Sequence, residues 1–356
     1  MKNCMSKKIS FIIPAYNAEQ YIESCLSRIF SVSYDNYDVI VVDDGSTDRT
    51  ASILTLLNNP KLKVIRQENS GVSSARNAGL NLTDADYVIF IDVDDIVLPE
   101  QIDKLLCKIR FDRDVYMYAY EHQENEVTQK MPLPLSGGDY EKKSVSALCT
   151  RLLDVRYVKY YQSSYFGAKI YQYLFSVEFL REHQLNFPIG LPFAEDCVFC
   201  YRVFWNEPTL TVIDLAAYRY IVYPGSASHK YRPQFWREIK DFYNAICEVN
   251  HGTEPANNKE LFYYYYTDII ERAVVHTRQI GKKETMRVIR ELYRDVAYCQ
   301  AAADAPSNLM TSKEKIVRAL YRFRKPTITY LFFRATICSR GLRKGVKKRR
   351  SIQDEN

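Results

Sequence analysis

The stretch "YVIFIDVDDIVLPE", Tyr87–Glu100, runs from apolar and β-branched residues directly into three carboxylates. Its first half is typical of a buried strand, and the proline at position 99 suits the first turn of a helix. Side chains two positions apart on a strand point the same way, so we expect Asp92 and Asp94 to share a face and Asp95 to turn away. The stretch therefore predicts a buried strand that ends in paired acids and is followed by a helix.

Strands and helices alternate on the amino-terminal side of this stretch. The helical sequences "AEQYIESCLSRIF", "STDRTASILTLLNN" and "VSSARNAGLNL" separate the strand sequences "KISFIIP", "YDVIVVDD", "KLKVIRQ" and "YVIFIDVDD". This order predicts an α/β fold with a mostly parallel sheet flanked by helices on both faces. Ligands of such sheets bind at the carboxyl ends of the strands, where "PAYN", "DDGSTD" and "DVDD" would converge.

The remainder of the chain divides by pattern. We predict one domain over residues 1–230, with a regular half over residues 1–110 and a less regular half over residues 111–230. Residues 231–330 have helical spacing, and residues 331–356 form a basic tail.

The composition predicts a folded, cytoplasmic protein. A hydrophobic content of 47% with 26% charged residues excludes an intrinsically disordered chain. The nine cysteines are odd in number and scattered, which favours reduced thiols over disulfides, and the pair Cys197 and Cys200 has no second pair to complete a zinc site. The sequence has no apolar region of signal-peptide length and no run long enough to span a membrane.

The net charge of +6 is concentrated in the tail. Its last 17 residues contain seven cations, namely Arg340, Arg343, Lys344, Lys347, Lys348, Arg349 and Arg350. Because the rest of the chain is near neutral, and a nucleic-acid binder usually carries its charge on the folded body, we expect no nucleic-acid partner.

The D-x-D acids, Asp92 and Asp94, favour a metal ion. Two carboxylates ~5–7 Å apart repel by roughly 2–3 kcal/mol at an effective dielectric constant of ~20, and a divalent cation removes that cost. Oxygen ligands select Mg²⁺ or Mn²⁺ over soft metals, and such an ion completes its coordination with substrate phosphates. The alternative is a solvated strand end with an acidic turn.

Residues at the neighbouring strand ends permit nucleotide binding. Asp44 could accept a hydrogen bond from an imide N–H such as that of uracil, or it could belong to an ordinary turn. Tyr16 could stack on a base and Pro14 stops the strand, although ordinary packing explains both. Arg76 could reach a pyrophosphate or a strand-end carboxylate, or it could lie on a solvated helix face.

Four segments in this order and spacing resemble the nucleotide-sugar-binding half of family 2 glycosyltransferases: "ISFIIPAYNAEQYIESCLSRIF", "VVDDGSTD", "NSGVSSARNAGL" and "YVIFIDVDDIVLPE". Two later segments, "GAKIYQYLFSVEFLREHQLNFPIGLPFAEDCVFCYR" and "YRYIVYPGSASH", resemble the acceptor half of bacterial capsular and exopolysaccharide transferases. The resemblance implies the GT-A fold, a Rossmann-like, mostly parallel sheet flanked by helices, here with a helical C-terminal extension. Residues 1–110 would then bind the nucleotide sugar and residues 111–230 the acceptor.

The resemblance also implies individual roles. Pro14, Tyr16 and Glu19 would line the nucleotide pocket, Asp44 would contact the uracil, Arg76 would lie near the nucleotide, Asp92 by the ribose, and Asp94 would coordinate the metal. In "AEDCVF", Asp196 would be the catalytic base and Glu195 its acidic neighbour. Asp92 is a second candidate metal ligand. His229, after "YPGSAS", is a weaker one, for which a partly exposed loop histidine is the alternative.

The expected function is an inverting, metal-dependent transfer of a sugar from a UDP-sugar, because one base opposite a departing diphosphate implies single displacement. A nucleotidyltransferase would also use strand-end carboxylates and a metal, but "PAYNAEQY" lacks the glycines and cations of a phosphate-binding loop. A catalytically inactive nucleotide-sugar-binding scaffold is disfavoured because both sets of acids are intact.

The expected acceptor is a growing glycan or a lipid-linked saccharide in the synthesis of a cell-surface polysaccharide. The tail sequence "YLFFRATICSRGLRKGVKKRR" pairs an apolar patch with clustered cations, and an anionic membrane attracts such segments by about 1 kcal/mol per basic residue. We therefore predict a cytoplasmic protein that lies peripherally on the inner face of the membrane, with a solvated tail as the alternative.

Overall fold

The computed structural model describes residues 7–142, 145, 169–223, 232, 235–251, 258–304, 307–308, 310–323 and 325–337, except for the side chains of residues 258–266 and 297. The candidate ligand His229 and residues 338–356 of the basic tail lie outside the described residues.

The described residues contain ten strands joined in one sheet. The strands are β1 (Ile9–Ala15), β2 (Tyr37–Asp43), β3 (Leu62–Arg66), β4 (Tyr87–Phe90), β5 (Ile96–Val97), β6 (Val115–Glu124), β7 (Val127–Lys130), β8 (Gly138–Tyr140), β9 (Tyr173–Ser176) and β10 (Leu210–Val222). A short 3₁₀ turn, Ile170–Gln172, leads into β9.

Helices cover the sheet and make up the C-terminal region. They are α1 (Ile22–Phe30), α2 (Thr50–Leu56), α3 (Val72–Leu82), α4 (Pro99–Lys108), α5 (Val177–Glu182), α6 (Glu195–Trp205), α7 (Phe235–Val249), α8 (Asn258–Val275), α9 (Thr277–Leu292), α10 (Val296–Asp304), α11 (Ser312–Arg322) and α12 (326–337).

The main path of the sheet has the order β3-β2-β1-β4-β9-β6-β10-β5. Strands β1 to β4 are parallel, and β6 pairs in parallel with β10. Strand β9 lies antiparallel between β4 and β6, so β6 and β10 run in the same direction as β1 to β4. The predicted α/β fold with a mostly parallel sheet is confirmed, and its main strands bring their carboxyl ends to one edge.

Both faces of the sheet are covered by apolar side chains. From β1, Phe11 and Ile13 pack into the core that includes α1 and α4, whereas Ile12 packs into the core that includes α3 and α6. Strands that are buried on both faces are continuously apolar rather than alternating, which explains the run "ISFII".

The C-terminal helices extend the second of these cores. Phe242 and Ile246 of α7, Ile270 of α8 and Leu292 of α9 belong to the same apolar cluster as α6. The predicted helical C-terminal extension is therefore present, while the domain boundary near residue 230 stays a prediction. In the described part of the chain, no helix is both long and apolar enough to cross a membrane.

Strand β4 is shorter than the sequence predicts. It ends at Phe90, and the backbone N–H of Asp95 donates to the carbonyl of Asp92 over 3.1 Å, which closes a turn. The prediction that Asp92 and Asp94 share one face of a strand is therefore wrong. The carboxylate of Asp95 accepts hydrogen bonds from the Tyr218 hydroxyl at 2.7 Å and the Ile221 N–H at 2.8 Å, and these contacts with β10 fix the turn.

Two glycines allow the close packing that this edge requires. A Cβ at Gly79 would lie 2.4 Å from Ile12 Cγ2, so α3 can approach β1 only with glycine at that position. Gly45 has a φ of +74°, and a Cβ there would lie 2.8 Å from the backbone nitrogen of Asn69. The loop after β3 therefore packs directly against the end of β2.

Candidate active site

The loops after β1 and β2 are hydrogen-bonded to each other. The Asn17 N–H donates to Ser46 Oγ over 3.0 Å, and Glu19 Oε2 accepts from both the backbone N–H and the Nε of Arg49 at 3.1 Å. Glu19 thus stabilises the loop after β2. A contact between Glu19 and a nucleotide stays a prediction.

Pro14 and Tyr16 lie at the carboxyl end of β1, where the first of these loops begins. Pro14 does not stop the strand, because it lies opposite Val42 within the β1–β2 pairing and β1 continues to Ala15. Tyr16 follows directly and is 51% exposed, so its ring is accessible for stacking on a ligand.

Asp44 is buried and holds the loop that precedes α3. Its Oδ1 accepts from Gln67 Nε2 at 2.7 Å and from the Ser70 N–H at 2.9 Å, and its Oδ2 accepts from the Gly71 N–H at 2.9 Å. A carboxylate offers about four acceptor positions, so one position on Oδ2 remains for a further donor. The structure permits the predicted uracil contact, which stays a prediction.

Arg76 joins the two halves of the site. Its guanidinium donates to Asp92 Oδ1 at 2.8 Å and to Glu195 Oε1 at 3.0 Å, and its side chain is only 5% exposed. Of the alternatives that the sequence left open, the structure shows the contact with a strand-end carboxylate and contradicts a solvated helix face. A direct contact of Arg76 with the nucleotide stays a prediction.

The charge of Arg76 is stabilised by its partners. Burial disfavours the charged form, but Asp92, Glu195 and Asp196 together raise the pKa of Arg76 above its ordinary value. Its Nε is buried and has no hydrogen-bond acceptor among the described residues. The guanidinium is therefore committed to the two carboxylates that it bridges.

The turn Asp92–Asp95, here called the acidic turn, carries more negative charge than its partner Arg76 offsets. Burial, followed by repulsion from Asp92, raises the pKa of Asp94, and burial followed by repulsion from Asp92 and Asp94 raises the pKa of Asp95. Among the described residues, no group of three or more His, Cys, Asp or Glu side chains is arranged to hold a metal ion. The turn therefore offers a divalent cation one or two carboxylates and leaves its other coordination positions to water or phosphate.

The acids of "AEDCVF" begin helix α6. Ala194, directly before them, has a left-handed φ of 58°, an unusual conformation for a residue with a Cβ. Glu195 pairs with Arg76, whereas Asp196 accepts from the backbone N–H of Cys197 at 2.8 Å. Burial and then the neighbouring Glu195 raise the pKa of Asp196 to about 7, against the opposing effects of Lys169 and Arg76. A carboxylate with such a pKa can act as a general base near neutral pH.

Sequence reasoning missed three residues of the site. Tyr218 links the acidic turn to β10, since its hydroxyl donates to Asp95 and accepts from the Asp92 N–H at 3.2 Å. Lys169 places an ammonium group near Asp196, and Gln67 holds Asp44. The apolar alternation of "LTVIDLAAYRYIV" could have indicated that Tyr218 is buried, but nothing in the sequence pairs it with Asp95.

The mostly parallel sheet and the gathering of acids at its carboxyl edge are those of a glycosyltransferase with the GT-A fold. Residues 10–183 match the family model described as glycosyl transferase family 2. This segment, just under half of the chain, is that of a family 2 glycosyltransferase.

Several bacterial proteins are similar to this chain. EpsJ of Bacillus subtilis (strain 168), described as an uncharacterized glycosyltransferase, is 25% identical over 350 residues, which cover 96% of this chain and 98% of EpsJ. GlyA of Streptococcus pneumoniae serotype 4 is a glycosyltransferase that is 29% identical over 240 residues, or 66% of this chain. The matched region spans only 33% of GlyA, so the chain corresponds to about a third of that relative's length.

TarS of Staphylococcus aureus is similar in both sequence and structure. It is named a poly(ribitol-phosphate) β-N-acetylglucosaminyltransferase and is 27% identical over 224 residues, or 60% of this chain and 35% of TarS. The crystal structure of its residues 1–349 in complex with UDP-GlcNAc superposes with a TM-score of 0.61 at 20% identity and covers 93% of this chain and 92% of that one. This structural likeness establishes the shared fold.

Proposed function

We propose that the protein transfers a sugar from a UDP-sugar to a hydroxyl of a growing glycan or a lipid-linked acceptor, with inversion at the anomeric carbon. The observation that carries the proposal is the Arg76 bridge, which ties the acidic turn at Asp92 to the helix start that bears Glu195 and Asp196. The bridge holds one set of acids for the donor beside a separate carboxylate suited to be a base.

Asp196 is the proposed base. Its carboxylate takes the proton of the acceptor hydroxyl as the oxygen attacks the anomeric carbon and the bond from that carbon to the diphosphate breaks. A base that acts near neutral pH should have a pKa close to 7, and burial with the charge of Glu195 gives Asp196 such a pKa. One base and a direct displacement imply inversion, and Glu195 acts through its contact with Arg76 rather than on the acceptor.

Asp94 and Asp92 are the proposed ligands of Mn²⁺ or Mg²⁺. Asp92 Oδ1 is bound to Arg76, and the raised pKa of Asp94 reflects burial and the repulsion that a cation would relieve. When bound, the ion would neutralise charge on the leaving diphosphate. His229 as a further ligand remains part of the proposal.

UDP is the proposed nucleotide because Asp44 retains an acceptor position at the end of β2 and Tyr16 offers an exposed ring nearby. The binding of UDP-GlcNAc by the similar protein TarS supports this choice. The pocket would be lined by Pro14, Tyr16 and Glu19, with Arg76 near the nucleotide and Asp92 by the ribose.

A donor screen tests the proposed function. With Mn²⁺ present, we expect one UDP-sugar to raise the Tm of the protein and to be hydrolysed slowly to UDP and free sugar. Asp94→Asn should abolish the Mn²⁺-dependent part of the Tm shift and lower hydrolysis by about 10²-fold or more, because neutralisation of the leaving diphosphate contributes several kcal/mol.

Asp214→Asn is the matched control, because this aspartate is 68% exposed and pairs only with Lys130 in the described part of the chain. If Asp94→Asn and Asp214→Asn behave alike, Asp94 is not the metal ligand. Release of pyrophosphate from a nucleoside triphosphate and a sugar phosphate would favour the nucleotidyltransferase. Donor binding without any turnover would favour the inactive scaffold.

The proposed location is the inner, cytoplasmic surface of a membrane that displays a lipid-linked acceptor. Residues 311–350 contain 14 lysines and arginines and a single acid, so this end of the chain is strongly cationic. Within its described part, Phe323, Ile328 and Leu331 are exposed apolar side chains at 69%, 48% and 53%. Apolar side chains among cations suit an anionic lipid surface.

Removal of residues 338–356 should abolish flotation of the protein with vesicles that contain phosphatidylserine. The cut keeps all the described residues of α12, which matters because Phe333 is fully buried. The seven lost cations are half of those in residues 311–350, and at about 1 kcal/mol each near an anionic surface their loss should weaken binding by about 10⁵-fold. Vesicles of phosphatidylcholine alone are the control. Equal flotation of the full-length and shortened proteins with anionic vesicles would exclude the tail as the attachment site.

A further inference from the structure

Lys169 places a positive charge beside the proposed base. It directly precedes the 3₁₀ turn that leads into β9, and its Nζ lies 5.1 Å from the centroid of the Tyr220 ring. Its side chain is partly buried and forms no ion pair with any residue in the described part of the chain. Burial works to lower the pKa of Lys169, but the neighbouring Tyr120, Asp196, Tyr220 and Asp95 raise it, so the ammonium group is charged at neutral pH.

Stacked aromatic rings fix the position of this lysine relative to the acidic turn. The Tyr171 ring stacks on Tyr218 with a centroid separation of 4.2 Å and an interplanar angle of 9°, and it lies 6.0 Å from Tyr220. The Tyr218 hydroxyl in turn donates to Asp95 at 2.7 Å. The ring series Tyr218, Tyr171 and Tyr220 therefore runs from the donor-side acids to the ammonium group of Lys169.

His122 also contacts the Tyr220 ring and extends the series of rings. Because β6 and β10 are paired in parallel register, His122 lies opposite Tyr220, and their ring centroids are 5.7 Å apart. Lys169 and His122 thus contact one aromatic ring. A cation held against an aromatic ring with a second polar ring beside it is suited to bind a sugar or polyol that carries negative charge.

The two cations near the base, Arg76 and Lys169, differ in their ion pairs. Arg76 is bound by Asp92 and Glu195, so its charge is already compensated. Lys169 has charged neighbours but no direct ionic partner among the described residues. An ammonium group has three N–H donors, and because Lys169 forms no ion pair with the described residues, these donors can bind an anionic ligand group.

The position of the proposed base indicates which of the two substrates lies near Lys169. Asp196 must contact the acceptor hydroxyl, and the departing diphosphate lies on the opposite side of the anomeric carbon. Lys169 lies within electrostatic range of Asp196, and the surface of Tyr220 and His122 extends from it. Because the rings of Tyr218, Tyr171 and Tyr220 lead from Asp95 to Lys169, we place this cation on the acceptor side of the site.

We propose that Lys169, with the rings of Tyr220 and His122, forms an acceptor subsite that binds an anionic group, a phosphodiester or a carboxylate, next to the hydroxyl that receives the sugar. The subsite rests on the proposed function, because it requires Asp196 to be the base. It makes Lys169 a specificity residue that selects negatively charged acceptors.

Matched probes test the subsite. Two pairs of probes differ mainly in charge: methyl glucuronide and methyl glucoside, and glycerol 3-phosphate and glycerol. For each probe we measure the rate at which the UDP-sugar found in the donor screen is consumed, and from it the concentration of probe that gives half of its maximal effect. A probe that accepts the sugar raises this rate, and a probe that only displaces water lowers it; either change reports binding. We expect each anionic probe to act at a concentration about tenfold or more below its neutral counterpart, as one charge-assisted hydrogen bond allows.

The variants identify the source of this preference. Lys169→Met should remove the tenfold difference between the members of each pair, and Lys169→Arg should retain most of it. Lys61→Met is the matched control, because Lys61 also holds its Nζ over a tyrosine ring, 3.7 Å from the centroid of Tyr37, outside the site. The Kd of UDP is measured for every variant.

Three results would overturn the subsite: equal action of the anionic and neutral probes on the wild-type protein, a preference that survives Lys169→Met, or a loss of UDP affinity in Lys169→Met. The last result would assign Lys169 to the donor diphosphate instead of the acceptor. A wild-type protein that consumes no nucleotide sugar would contradict the proposed function itself, so the two failures are distinguishable.

Discussion

Asp196→Asn is expected to lower kcat for sugar transfer by about 10²–10⁴-fold, the usual contribution of a positioned general base. Asparagine has nearly the same shape as aspartate and keeps an oxygen that can accept from the Cys197 N–H, but it cannot take a proton from the acceptor hydroxyl. The Kd of UDP should stay within about twofold of the wild-type value, because the loss is confined to the transition state.

The pH dependence provides a second measure of the same residue. Burial and then the charge of Glu195 raise the pKa of Asp196 to about 7, although Lys169 and Arg76 act to lower it. The base works only when it is ionised, so kcat/KM should rise with pH through about 7 and then level off. In Asp196→Asn this rise should be absent from the residual activity.

Stability separates catalysis from folding in this variant. Because burial makes the ionised carboxylate of Asp196 unfavourable in the folded state, the raised pKa means that stability falls as pH rises from the ordinary aspartate range through about 7. The neutral asparagine lacks that cost, so Asp196→Asn should not lower the Tm at pH 8. Sugar transfer at the wild-type rate by a folded Asp196→Asn protein would show that another group is the base.

Arg76→Met is expected to lower the free energy of unfolding by about 3 kcal/mol, near the lower end of the range for breaking a buried charge pair. Methionine fills much of the same volume but leaves Asp92 and Glu195 without their shared cation. The lower end applies because the side chain of Asp92 is 30% exposed and water can partly solvate it. Urea unfolding followed by circular dichroism measures the change.

Three further variants interpret the Arg76 result. Arg49→Met removes an arginine that is 81% exposed and paired with Glu19, and it should cost less than about 0.5 kcal/mol. Arg76→Lys keeps the charge but cannot bridge two carboxylates in the same planar geometry, so it should fall between the wild type and Arg76→Met. Adding Glu195→Gln to Arg76→Met should restore part of the lost stability. Equal costs for Arg76→Met and Arg49→Met would exclude the bridge as a source of stability.

The strands and the acids could be predicted because their signals are local. The apolar run of β1 and the alternation of strand and helix predicted the parallel sheet, whose carboxyl edge follows from the common direction of its strands. The placement of "DVDD" within a strand was wrong, because a long-range contact of Asp95 with Tyr218 draws the chain into a turn. No local pattern encodes a hydrogen bond between residues so far apart in sequence.

The ion pairs within the site could not be predicted from the sequence either. For Arg76 the sequence left open a pyrophosphate, a strand-end carboxylate or a solvated helix face, and its observed contacts depend on α6 bringing Glu195 to its second nitrogen. Gly79 makes this possible by letting α3 pack tightly on β1, a role that cannot be inferred from a single glycine in a helix. Lys169 carried no signal at all in the sequence.

The sequence by itself determined the class of fold, the family and the acids that the chemistry needs, because apolar periodicity and short motifs are properties of neighbouring residues. The tertiary structure alone decided which charges meet. It bound Arg76 to Asp92 and Glu195, anchored Asp95 on β10, and set Lys169 beside Asp196. The physical reason is that the pKa of a buried group depends on its solvation and on charges a few ångströms away, and residues far apart in the sequence supply both.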